Sequence, residues 1–147
     1  MLFRSLIEGA AEGAGLGIQF LKHVARTRLL LHLVDLAPMA EDVDPAAEVR
    51  QIEKELKKFD AGLLERPRWL VFNKADLLPE DERQKLAKAL VRKLKWKEPW
   101  FVVSAISREG TWPVCLKIQD FFDRLKAEAA EEQRSEGALS DAQVAAI

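Results

Sequence analysis

Three short apolar runs constrain this chain most: Leu29-Leu30-Leu31-His32-Leu33-Val34, Trp69-Leu70-Val71-Phe72 and Trp100-Phe101-Val102-Val103. None shows the apolar-polar alternation of a half-solvated strand. Unbroken runs of this length mark strands buried on both faces, as in a parallel sheet. The segments between them carry helical periodicity. Asp44-Pro45 supplies an N-cap and a first-turn proline, and Val49, Ile52, Leu56 and Phe59 then recur along one face. The charged stretch Glu53–Lys58 reads as the solvated side of that helix. A second helix is expected from Pro79, with Leu86, Leu90 and Leu94 inward, and a third from about Pro113 to about Glu132, burying Val114, Ile118, Phe121, Phe122 and Leu125. A shorter helix fits residues 18–27. Strands alternating with helices imply right-handed crossovers, hence an α/β fold with a parallel sheet and helices on both faces.

Composition narrows the function classes. The 147 residues carry 23 Lys and Arg against 24 Asp and Glu, which argues against a polybasic nucleic-acid or membrane-surface module. The one cysteine, Cys115, allows no internal disulfide framework and fits a reducing compartment. No apolar run approaches the roughly 20 residues of a membrane span, and a cytoplasmic protein is expected. Residues 6–17 hold glycines at 9, 13, 15 and 17 and read as a loop. Residues 133–147 are small, polar and acidic, and read as a frayed tail after a domain spanning 1–132.

In open α/β sheets ligands bind beyond the carboxyl ends of the strands. Two signals lie there. Asn73-Lys74-Ala75-Asp76 follows the second strand. A carboxylate such as Asp76 can accept paired hydrogen bonds from guanine N1–H and the exocyclic amine. Adenine lacks that donor pair and would leave the carboxylate desolvated and unpaired. Asn73 can bridge neighbouring loops, and the Lys74 stem can lie along the purine face. Ser104-Ala105-Ile106 ends the third strand, where a small residue lets a backbone N–H reach guanine O6. A Ser-Ala pair alone carries no information; one βα unit after Asn73–Asp76 it does.

The stretch Leu6–Gly17, the run Phe20-Leu21-Lys22-His23, the strand Leu30–Asp35 and Arg68–Lys74 together resemble the Obg family of translational GTPases, over about residues 6–126. The resemblance implies a P-loop GTPase fold, GTP or GDP with Mg²⁺, and a role on the large ribosomal subunit. It implies that Asn73, Lys74 and Asp76 form the fourth GTPase motif, that Ser104–Ile106 form the fifth, and that residues 6–17 are the tail of the second switch. The departures are specific. No Gly-x-x-x-x-Gly-Lys-Ser/Thr occurs, and Leu2, Phe3, Arg4 and Ser5 stand where the family has Asp-x-Pro-Gly. The chain reads as the back half of a GTPase domain, with the first strand and P-loop missing.

That reading has two consequences. Without phosphate and Mg²⁺ contacts, about three hydrogen bonds to the base remain, worth roughly 3–6 kcal/mol together. This corresponds to a Kd between about millimolar and some tens of micromolar. Guanine binding is expected to be weak and hydrolysis absent, because phosphoryl transfer depends on positioning the phosphates. In the P-loop GTPase order the missing strand lies beside residues 29–35. An exposed edge and uncovered apolar faces are therefore expected there, inviting self-association.

Other residues carry blander readings. Asp35 has a Walker-B-like position but reads as a loop cap; His32 reads as a satisfied core histidine; His23 has no second ligand nearby. Cys115 has no placed histidine base. Trp96, Trp100 and Trp112 read as core and rim packing. A nucleotide-independent interaction or assembly module is the second functional reading.

Overall fold

The computed structural model describes residues 17–136 and 144–147. Of the stretch 6–17 read as a glycine loop and aligned with the tail of the second switch, residues 6–16 lie outside them, and Gly17 begins a helix. The order is α1 (Gly17–Val24), β1 (Leu29–Asp35), α2 (Pro45–Phe59), β2 (Arg68–Asn73), α3 (Glu80–Leu94), β3 (Trp100–Val102), α4 (Thr111–Glu136) and β4 (Val144–Ala146). Short 3-10 turns occupy Ala61–Glu65 and Ala75–Leu77. All strands are parallel, in the order β3-β2-β1-β4. The α/β class, the parallel sheet and the helices on both faces are as the sequence implied.

Register explains the burial. Leu31 pairs with Trp69 and Leu33 with Val71, while Val71 pairs with Phe101. Leu30, Val34, Leu70 and Phe72 therefore share the opposite face, where they meet Val49, Ile52 and Leu56 of α2 and Leu90 and Leu94 of α3. The other face carries Val71 and Val103 against Val114 and Ile118 of α4. Trp69 stacks edge-on to Phe121 of that helix. Asp44 caps α2 as expected, accepting from the Ala46 amide at 3.0 Å. Its other carboxylate oxygen takes a hydrogen bond from Lys93 Nζ at 2.7 Å, which holds the Asp44 pKa below the usual carboxylate value.

Several expectations are corrected. Leu86 is 38% exposed, and Ala87 is the buried residue at that turn of α3. Glu55, expected on the solvated face of α2, is buried, with Gln51 Nε2 3.4 Å and Lys58 Nζ 3.7 Å from Oε1 and no partner on Oε2. Its helical position follows Ile52 and precedes Phe59, so it falls within the apolar arc that a count of charges overlooks. Trp112 is 69% exposed and packs in no core. Helix α4 continues to Glu136, and the segment read as a frayed tail ends in a strand. Val144, Ala145 and Ala146 pair with Leu29, Leu30 and Leu31, and Ile147 is buried beside Leu21, Val24 and Leu30. The edge of β1 expected to be bare is thus covered by the chain's own β4, because a vacant ladder and an apolar pocket offer Val-Ala-Ala-Ile more than water does. The face beside it is less complete: Leu33 remains 45% exposed.

His32 is the core histidine the sequence suggested. It is 2% exposed, and Arg68 Nη1 lies 3.4 Å from its Nδ1. Because a guanidinium only donates, Nδ1 is the acceptor and the ring is neutral. Burial first, then the Arg68 charge, push its pKa down to about 3. Arg68 is itself buried, stacked 4.8 Å from the Trp96 ring and paired with Glu53 Oε1 at 2.9 Å.

Candidate guanine-reading site

The carboxyl ends of the strands bring the two signals together. β2 ends at Asn73, and Lys74 turns the chain with φ 66° and ψ 29°. That left-handed step starts the turn at Ala75–Leu77, which places Asp76 above the sheet. Ala75 is buried, and its amide donates to Val103 O at 3.1 Å, tying this turn to the end of β3.

Ser104 has no exposed surface, and its hydroxyl donates to Asp76 Oδ1 at 2.7 Å. The Ala105 amide donates to Asn73 Oδ1 at 3.0 Å. Thus Asn73 and Asp76, from one loop, are each held by a residue of the other. The Ser104 hydroxyl also accepts from the Ser107 amide at 3.2 Å, and the Ser104 amide donates to Glu109 O at 2.9 Å. Gly110, at φ 75°, closes this loop: a Cβ there would stand 2.4 Å from Val102 O. Arg83 binds both sides from outside, Nε donating to Leu78 O and Nη1 to Glu109 Oε1, each at 2.9 Å.

These bonds leave a defined set of free groups. Ser104 takes one lone pair of Asp76, so the carboxylate keeps acceptor capacity on both oxygens. Asn73 uses its oxygen and keeps its amide hydrogens. The amides of Ser104, Ala105 and Ser107 are engaged, whereas that of Ile106 makes no hydrogen bond among the described residues. The Ile106 amide is therefore a backbone donor left available at the end of this loop, in a residue that is 89% exposed.

Lys74 is held by a contact across the sheet. Its ammonium pairs with Asp35 Oδ2 at 2.8 Å, which draws the side chain toward the end of β1. Asp35 also accepts from the Ala37 amide at 2.9 Å, the loop-capping role suggested by sequence. The Asp35–Lys74 pair and the Arg83 clamp were not legible, because each joins residues far apart in the chain. The His32–Arg68–Glu53 network lies on the sheet's α2 side and contributes no atom to this site. Cys115 is exposed on α4. No protein-family model matches the chain. No helix among the described residues is long and apolar enough to cross a membrane.

Proposed function

We propose that this chain reads the base of a guanine nucleotide, as the base-recognition portion of an Obg-type GTPase domain of the cytoplasm. One observation carries the reading: Asp76 and Asn73 are held toward the same space by Ser104 at 2.7 Å and Ala105 at 3.0 Å. Preorganised acceptors cost little ordering free energy on binding, which matters where few contacts are available. Asp76 accepts from N1–H and the exocyclic amine, the Ile106 amide donates to O6, and the Asn73 amide hydrogens face the imidazole edge. Service on the large ribosomal subunit follows from the family resemblance and is part of the same proposal.

The residues at the end of β1 do not fit a Mg²⁺ site. Asp35, the carboxylate there, is committed to Lys74 and to the Ala37 amide. Mg²⁺ needs an octahedral set of oxygens, and the chain lacks the phosphate-cradle motif, so no hydrolytic step is assigned to it.

The test is a titration of the chain with GDP and with ADP, followed by the amide signals of Ala105, Ile106 and Asp76. GDP is expected to saturate with a Kd between about millimolar and some tens of micromolar, shifting Ile106 most, while ADP shifts none. Equal responses to both nucleotides, or none to GDP in a chain folded by circular dichroism, would leave the nucleotide-independent assembly module as the reading.

A further inference from the structure

We infer that the β1 edge is an acceptor slot for a short parallel strand, and that residues Val144–Ile147 of a second copy fill it by exchange with the chain's own. The slot is specific. The Ile147 amide donates to Leu31 O at 2.9 Å, and the Leu33 amide donates to Ile147 O at 3.0 Å. Ala145 and Ile147 face the cluster of Leu21, Val24, Leu30, Ile52, Leu56 and Leu63. One large aliphatic side chain following two alanines is what the pocket accommodates.

The occupant is weakly tied to its own body. β4 spans Val144–Ala146, and Ile147 is the one residue of 144–147 that is buried. It is delivered by an overhanging arm. α4 starts beside the end of β3, where Gly110 closes on Val102 O, and runs back along the sheet. By Phe121 and Leu125 it has reached the other end, where both line a cleft with Thr27, Arg28, Arg66 and Pro67, the residues that precede β1 and β2. The 26-residue helix is ~39 Å long, whereas the seven residues of β1 cover ~23 Å. The difference, ~16 Å, is the length of residues 126–136. Among 126–134 of this projecting part, Ala129 alone is buried. An element carried past the body of its own domain keeps every contact when it seats in an identical neighbour, so exchange substitutes one equivalent interface for another. The choice is then set by chain concentration. This inference uses no atom of the guanine-reading site and stands apart from that proposal.

The full chain tests it. Light scattering from about 20 µM to about 1 mM is expected to show a monomer passing into a dimer; Ile147→Ser, whose contacts are the same in either arrangement, is expected to leave that passage within about threefold, whereas removal of residues 144–147 is expected to abolish the dimer. Amide exchange supplies a second reading. The Leu33 N–H, bonded to Ile147 O, should exchange at least about tenfold faster than the Leu30 N–H, bonded to Pro67 O. A monomer throughout, a dimer that survives removal of residues 144–147, or equal protection of the two amides would each overturn the inference.

Discussion

Glu53→Ala is expected to lower the unfolding free energy by about 2–4 kcal/mol, toward the lower part of the range for breaking a buried ion pair because Glu53 keeps some exposure. Arg68 is 8% exposed and lies at the start of a strand, under the Trp96 ring. Its Nη2 has Glu53 Oε1 at 2.9 Å, and burial already holds its pKa below the ordinary arginine value, with Glu53 opposing that shift. Removing the carboxylate leaves a guanidinium in the core with a neutral histidine and an aromatic face for company. It also removes the partner of Arg50 Nη1, 3.0 Å from Glu53 Oε2, while Arg50 Nη2 keeps its bond to Leu94 O at 2.8 Å. Urea unfolding measures the cost. The double variant Glu53→Ala with Arg68→Met should recover most of it, because no charge is then stranded. A single-variant loss under about 0.5 kcal/mol would mean the pair behaves as an exposed one.

The second large effect is a pH dependence. His32 titrates at about 3 in the folded chain against 6.5 for an unperturbed histidine. Between those values the unfolded chain binds the extra proton, so stability rises with pH across the window. It is complete above pH 6.5 and is lost as pH falls toward 3. The limiting slope for one proton is about 1.4 kcal/mol per pH unit. From pH 6.5 to pH 5, before most carboxylates protonate, the loss should approach 2 kcal/mol by the same constant. His32→Leu removes the titrating group while keeping an apolar side chain between Leu31 and Leu33. The urea midpoint of the native chain should fall relative to that of His32→Leu as pH drops from 6.5 to 5. Parallel midpoint curves would show that His32 is not the group responsible.

The strands and the two loops of the candidate site were legible because their signals are local. An unbroken apolar run reports burial on both faces within a few residues, and Asn73–Asp76 and Ser104–Ile106 each sit at the end of such a run. The docking of one loop on the other, Ser104 on Asp76 and Ala105 on Asn73, needed the sheet to bring residues 28 and 32 positions apart into contact. Residue type gave a different kind of error. Glu55 is charged, and a run of charges reads as a solvated face, yet Glu55 lies beside Ile52 and Leu56 on α2. The hydrophobic arc of a helix and the alternation of a strand decide burial before side-chain polarity does. β4 was missed for a third reason. Val-Ala-Ala-Ile has no strand signature of its own, and its conformation comes from the vacant edge of β1.

The central claim is that Asp76 reads the hydrogen-bonding edge of guanine, and a change of base tests it most directly. Asp76→Asn replaces one carboxylate oxygen by an amide. That amide can donate to the 2-carbonyl of xanthine but opposes the 2-amine of guanine, while the remaining oxygen can still accept from Ser104. Titrations of the native chain and Asp76→Asn with GDP and xanthosine diphosphate should therefore cross over. GDP affinity is expected to fall at least about tenfold and xanthosine diphosphate to become the preferred ligand. An unchanged GDP affinity in the folded variant would contradict the assignment.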